Sequence, residues 1–564
     1  MRKFVLIICL IHSFFSFSGP YGCVIFNELM VDPEPAVGLP EVEYIELFNR
    51  TSKPLSLKGW TLYYGEKSYA FPACMIDSAG YLVICSRSDY AVFASDLPVA
   101  VFESFPVLAN TGKRIYLLNE NGELVTSLEY RPEWYENDFK AKGGWSLECM
   151  DGHNLSGEAS NWSSSVDLSG GTPGYLNSVA TVNPDQSVPI CTGVYVPSST
   201  QIELTFSKCF QSDQPLSILH FEIQPQMAIV SSAFSDFPAC RTVFLKLRDP
   251  LQSGTIYQLK LSALTDVSGL PVADTSVVFG LPEYPGPFDL SLNEVLFNPL
   301  PNGCDYVEFV NVSNKSVDLS QVWLTNKSES GTLREGIRLS ERPRPCVPGS
   351  YWLLSVCGDS VFSVNGCSET SNKIDLTFFP SMPDASGQVM LLTTDAQVID
   401  EMAYDEGMHF PLIGSKEGVA LEKRNPQLNS SDQQSWRSAS TNSGYGTPGF
   451  QNSQYADLSK MDAHGFAVQN KWMTPNNDGR DDVITVSYDV VEASIANLTI
   501  YDLDGRVVRN LAKNELLAAT GSIFWDGLAE DGRLVSFGRY ILHTDYFTPS
   551  GQRNKRRFVL TVLY

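Results

Sequence analysis

Few residues of this 564-residue chain stand in spacings that could do chemistry. The clearest group is the segment 474–482, TPNNDGRDD, which sets Asn476, Asp478 and Asp482 around Gly479. Side-chain oxygens gathered in a glycine-containing loop are the ligands calcium prefers. An EF-hand register fails: with Asn476 at position three, Thr474 falls at position one and Thr485 at position twelve, where Asp and Glu belong. The loop reads either as a calcium-stabilised turn completed by carbonyls or a distant Asp, or as a turn capped by its own side chains. No other cofactor is expected.

Thiols are the second group. Cys74 and Cys85 lie eleven residues apart, as do Cys346 and Cys357, and each pair flanks a turn between extended segments. The spacing predicts a disulfide across each hairpin, worth on the order of 3 kcal/mol by loop closure. Cys304 with Cys367, and Cys23 with Cys149, are further candidate pairs; Cys191, Cys209 and Cys240 receive no assignment. No CxxC or neighbouring histidine supports a metal site instead. Catalytic machinery is harder to find. The histidines are scattered, and no GxSxG, HExxH or P-loop occurs. Glu46 and Glu308 are readable as acids, but more simply as exposed-face or loop-anchoring carboxylates on strands. The expectation is a protein that is not an enzyme; the rival is a hydrolase of extracellular polymer using those two glutamates. In EYRPEWYENDF (129–139), Trp134 and Tyr135 read either as a binding loop that stacks on a sugar or a partner, or as a loop folded back over a core.

The elements that position these residues come in two copies. Asn27-Glu28 answers Asn293-Glu294, Tyr44-Ile45-Glu46 answers Tyr306-Val307-Glu308, and Trp60 answers Trp323. Leu147-Glu148 matches Leu421-Glu422, Trp162 matches Trp436, and GTPG followed by Asn177-Ser178 recurs as GTPG followed by Asn452-Ser453. Six landmarks in one order mark a duplicated domain. This combination resembles the lamin tail domain, and the resemblance implies an immunoglobulin-like β-sandwich with a binding or scaffolding role and no common active site. Trp60 and Trp323 are expected as core anchors.

Between the copies, short strands at 201–206, 242–247 and 255–261 resemble bacterial Ig-like spacer modules. After the second copy, 498–509 reads as a hairpin turned at Asp504-Gly505. The run from there to the end resembles the Ig-like domain of flagellar hook-capping proteins and the C-terminal sorting domains of type IX secretion cargo. The expected layout is a signal peptide at 1–18, lamin-tail-like domains at 23–180 and 288–455, an Ig-like domain at 184–283, and a C-terminal Ig-like domain at 470–564.

Composition agrees with an all-β, multidomain array of immunoglobulin-like β-sandwiches. The chain is rich in β-branched and aromatic residues and punctuated by 41 Gly and 33 Pro, and it is too long for one core. Met1-Arg2-Lys3 before an apolar run reads as an export signal, and no later run is long enough to cross a bilayer. A net charge of −24 disfavours nucleic acid as a partner. The expected protein is secreted and cell-surface associated, handled by secretion machinery. Its partner is an unknown surface ligand, a polysaccharide or an envelope protein, bound for adhesion or scaffolding.

Overall fold

The structure is a computed structural model. It describes residues 21–93, 97–210, 216–272, 276–328, 330–364, 372–411, 413–456, 465–475, 482–490, 494–548 and 550–563. Its regular structure is almost entirely strand, with short 3-10 turns and one helix, Gly358–Val364, among these residues. Two compact units emerge: 1–193 with 201–248 and 259–277, and 194–200 with 249–258 and 278–564.

In the first unit, alternating apolar residues build a two-sheet sandwich. One sheet runs Trp162–Ser164, Leu147–Cys149, Val24–Met30, Tyr44–Asn49, Tyr81–Ser86, Val99–Phe102. The other runs Leu124–Tyr130, Lys113–Leu118, Thr61–Tyr64, Lys67–Ala70. Leu29, Ile45, Leu47, Leu62, Ile84, Ile115, Leu117 and Leu147 close the core between them. The strands Gln201–Phe206, Thr242–Leu247 and Ile229–Phe234 of the same unit pair antiparallel beside it, the first two where the sequence places them.

The second unit repeats the sandwich strand for strand. Its six-stranded sheet runs Trp436–Ser438, Leu421–Lys423, Leu290–Leu296, Tyr306–Asn311, Tyr351–Ser355, Lys373–Asp375, and its partner sheet has four strands in the matching order. Even the irregularities recur. The register slips between Phe26 and Glu28, and again between Leu292 and Glu294. An extra residue there is a β-bulge, which re-aims side chains, and in each copy it brings the Asn and Glu of the NE pair to the same neighbouring carboxylate. Trp60, Trp162 and Trp436 are buried, but Trp323 is only half-buried, because Val322 and Leu324 take the inward positions of its strand.

The last module forms its own two-sheet core, including Phe466, Trp525, Leu542 and Leu560. Its expected hairpin is present, with Gly505 at φ +80° closing the turn onto Asp502. The module is packed on the second repeat. Phe410 meets Ile495 and Leu516, Gln454 donates to the Leu517 carbonyl at 3.0 Å, and the Ala519 amide donates to Ser453.

The expected hairpin disulfides do not form. Cys74 precedes a strand paired with Leu55–Ser56, whereas Cys85 lies in the six-stranded sheet, so the two thiols belong to different sheets and both are free. Cys346 likewise faces Val317 in a separate two-stranded ladder and is free. Cys357 instead bonds Cys304 across 53 residues, which also excludes Cys304 with Cys367, a residue outside those described. Cys23 and Cys149 are free as well: the Cys149 thiol is turned to Asp151 and Asn161. Loop closure over 53 residues contributes about 4 kcal/mol in the chain-entropy account. Peptide mapping without reduction is expected to recover Cys304 joined to Cys357, with the buried Cys85 and Cys346 alkylated only after unfolding. Recovery of Cys346 joined to Cys357 would contradict this arrangement.

Candidate functional site

The repeat landmarks meet in space. Glu28 stands directly opposite Glu46 on one neighbouring strand and Glu148 on the other, and Glu294 stands between Glu308 and Glu422 in the same way. All six side chains are fully buried. Three carboxyls abreast in a dry sheet is an unfavourable pairing of like groups, and among the described residues no Lys or Arg forms an ion pair with any of them.

Hydrogen bonds to the GTPG–NS segment compensate. In the first copy Glu28 accepts from Tyr44 Oη (2.6 Å), Ser146 Oγ (2.7 Å) and the Thr172 amide (2.9 Å). Glu148 accepts from Thr172 Oγ1 (3.1 Å), Ser178 Oγ (2.8 Å) and the Val179 amide (3.1 Å). Glu46 accepts from Asn27 and from the Gly174 amide. Asn27 also donates to Asn177, which returns a bond to the Asn27 carbonyl and another to that of Cys149. The second copy repeats this with Tyr306, Thr447, Gly449, Ser453, Gln454, Asn293 and Asn452. The motif glycines have separate reasons. A Cβ on Gly171 would lie 2.5 Å from Glu28 Oε1, and Gly174 adopts φ +84° to aim its amide at Glu46.

Burial is the main force on these carboxyls. It pushes Glu28 up to about 7 and Glu308 up to about 8, against the pull of their hydrogen bonds. Glu46 and Glu294 are raised well above the ordinary value by burial and then by the neighbouring carboxylate. Each triad therefore retains protons near neutrality, and a carboxylic acid beside a carboxylate removes the repulsion. The clusters act as latches that fasten a strandless closing segment to the sheet. They are sealed from any external substrate, so Glu46 and Glu308 anchor loops and do not lie on an exposed face. Among the described residues no group of His, Cys, Asp and Glu is arranged to hold a metal ion.

Other candidates fall differently. Trp134 and Tyr135 are buried, 7% and 6% exposed, because Pro132–Tyr135 forms a 3-10 turn folded onto the first core with Trp134 against Trp162. They are core residues and not an exposed binding loop. Asn476 and Asp478 lie outside the described residues; Asp482 is half-buried before the strand Ile484–Asp489. The other four glutamates, Glu28, Glu148, Glu294 and Glu422, carry sequence signals only as repeat landmarks. At the position of Cys149 the second copy has Lys423, whose ammonium donates to Ser291 (2.7 Å) and Ser430 (2.6 Å), with its pKa lowered by burial to about 8. His409 is buried beside Ser438 and pushed by burial down to about 4.

With this geometry in place, the comparisons with known proteins can be read. Residues 18–132 match the family model of the Lamin Tail Domain. The match lies in the first copy, and the second is its structural duplicate. Among curated proteins none matches. The N-terminal part of the bacterial S-layer protein SbsC is similar at 22% identity and TM-score 0.16 over 26% of this chain and 33% of that one. SbsC domains 1–6 are similar at 11% identity and TM-score 0.16, over 67% of this chain and 54% of that one. The Bacteroides ovatus mixed-linkage glucan utilization locus protein SGBP-B is similar at 7% identity and TM-score 0.16, over 86% of each chain. The chain thus spans a third to about half of the S-layer structures, at scores too low to carry an argument.

A carboxyl with a raised folded-state pKa stabilises the fold fully below its unfolded value and loses that contribution as pH rises through the folded value. For Glu28 and Glu308 the window runs from 4.5 up to about 7 and about 8. Thermal stability is expected to fall between about pH 5 and about pH 8. Glu28→Gln, uncharged throughout and still an acceptor, is expected to flatten that fall and to be at least as stable as wild type at the alkaline end. Thermal melts of both proteins across this range check it; parallel curves would contradict it.

Proposed function

We propose that the chain is an exported, non-catalytic surface protein in which two lamin-tail-like sandwiches present binding loops and the remaining Ig-like modules space and sort them. The observation that carries this reading is the duplicated latch. The six glutamates of the two clusters are taken up in fastening a loop, and both copies use the same GTPG–NS segment to do it, which suits a rigid display scaffold better than a reaction centre. Two such units on one chain favour avidity for a repetitive surface, a polysaccharide or an envelope. The match of 18–132 to the lamin tail family supports the fold on which this rests, and no helix among the described residues is long and apolar enough to cross a membrane.

The module boundaries proposed are 23–180, 184–283, 288–455 and 470–564. The last module is proposed as a type IX-like sorting domain, with Asn476, Asp478 and Asp482 as calcium ligands in its opening loop. Export would then be directed by residues 1–18 and by this module.

Two measurements on protein recovered from producing cells test the reading. Co-sedimentation with insoluble polysaccharide or envelope is expected, and its absence from both would overturn the binding role. Mass spectrometry of the surface and medium fractions is expected to find the chain cut before about residue 470. A C-terminus intact at Tyr564 would make the last module a permanent part of the scaffold.

A further inference from the structure

The last module presents an open sheet face. Its five-stranded sheet runs Trp472–Met473, Arg553–Val562, Gly538–Phe547, Ile495–Tyr501, Val507–Leu516. Successive side chains of a strand point to opposite faces. Met473, Leu560, Tyr540, Leu542, Leu498 and Ile500 enter the module core, so their alternates face outward. Cross-strand pairing sets those alternates in rows. Trp472, Thr561 and Arg539 form one row, Val559, Ile541 and Tyr501 the next, and Arg557, His543 and Thr499 a third. In the fourth, Lys555 stands beside Asp545. Neighbouring rows lie about 6.8 Å apart, two residues along an antiparallel strand. Trp472 is 46% and Val559 55% exposed, and Arg539, Arg557 and Lys555 are exposed with them. At the end nearest the second repeat Ile495 and Phe547 meet Phe410, and the four rows lie beyond that contact.

In a chain of net charge −24 these strands carry the opposite sign. Between Gly538 and Val562 stand Arg539, Arg553, Lys555, Arg556 and Arg557, against the single carboxylate of Asp545. Asp545 is buried, and Arg553 and Lys555 share it. Arg556 donates to the Phe466 carbonyl at 3.1 Å. Arg539 and Arg557 form no ion pair among the described residues, so their guanidinium groups are open to an outside anion. His543 registers the local field: its pKa is lowered by burial and by Arg557, Lys555 and Arg553, against the pull of Asp545.

An apolar row between two cationic ones narrows the ligand class. A neutral glycan makes no use of the guanidinium groups. A nucleic acid holds its flat bases and its phosphates apart across the ribose. A uronate carries both features on one ring. Its C–H face packs against Trp472, Val559 or Tyr501, and its carboxylate takes paired N–H donors from a guanidinium in the row alongside. Opposite charge also steers such a polymer to this face and away from the acidic remainder of the chain.

We propose that this face binds a carboxylated polysaccharide, a polyuronate, with Arg539 and Arg557 holding carboxylates on either side of the row Val559, Ile541 and Tyr501. It adds a second binding place to the reading above, on the last module, and does not depend on the lamin-tail loops.

The test titrates the full chain calorimetrically with polygalacturonate, with pullulan as the neutral comparison and a thymidine oligonucleotide as the phosphate one. Arg539→Ala, Arg557→Ala and Trp472→Ala remove exposed side chains and are expected to leave the melting temperature unchanged. Arg87→Ala removes the same charge from the first repeat. Polygalacturonate binding that weakens as salt rises is expected. It is expected to fall roughly tenfold in each arginine variant of the face, to fall in Trp472→Ala, and to be unchanged in Arg87→Ala. The His543 pKa, followed by NMR, is expected to rise on binding, as the polymer offsets its cationic neighbours. Undiminished binding by the face variants, an equal loss in Arg87→Ala, an unmoved His543, or tighter binding of pullulan or the oligonucleotide would overturn the assignment. If the full chain binds no polygalacturonate yet co-sediments with envelope, this face is wrong while the surface-binding reading stands.

Discussion

Three carboxyl groups side by side across adjacent strands, sealed from water, are the constraint on which each repeat depends. An isolated buried carboxylate is far too costly to tolerate, and the usual outcomes are pairing with a cation or uptake of a proton. Here no cation is supplied among the described residues. The sheet holds protons instead, and the remaining oxygens draw amides and hydroxyls from a segment that has no strand partner of its own. The closing GTPG–NS segment is thereby fixed without a ladder. The β-bulge at the NE pair, the glycine that tolerates no Cβ against Glu28, and the glycine with positive φ are all consequences of that arrangement. The bulge and the amide bonds from the GTPG segment to the glutamates recur in the second copy.

The same latch has acquired a second attachment in the later repeat. Ser453 and Gln454, held by Glu422, also contact the last module through the Ala519 amide and the Leu517 carbonyl. The buried carboxyl and the docked module thus share one short segment. Where the first copy has Cys149, the second buries Lys423 with Ser291, Ser430 and, through Ser430, Asp400. An ammonium there is held by two serine hydroxyls, and the lowered pKa of the lysine reflects what its burial costs.

Much of this was legible in the residue pattern. The duplication, the all-β class and the strands 201–206 and 242–247 follow from landmark order and alternation, which are local signals. The network itself was visible only as repeated letters: NE, YIE or YVE, LE and GTPG–NS mark the latch but do not say that the glutamates face inward. Period-two reading puts Glu46 on the side opposite Ile45 and Leu47, and that side is also buried, so alternation could not show its environment. Disulfides were misplaced because eleven-residue spacing describes distance along the chain, whereas Cys74 and Cys85 are carried into different sheets. Trp134 and Tyr135 sit in a charged, proline-containing stretch that reads as surface, and only the tertiary fold shows it turned inward.

The latch itself is most directly tested by amide hydrogen exchange at Thr172, Gly174 and Val179, whose N–H groups lie outside any strand and donate to glutamates. Protection comparable to the central strand Val24–Met30 is expected near neutral pH. Exchange as fast as in exposed loops would mean that the carboxyls do not hold the segment, and would contradict the account of why both repeats retain them.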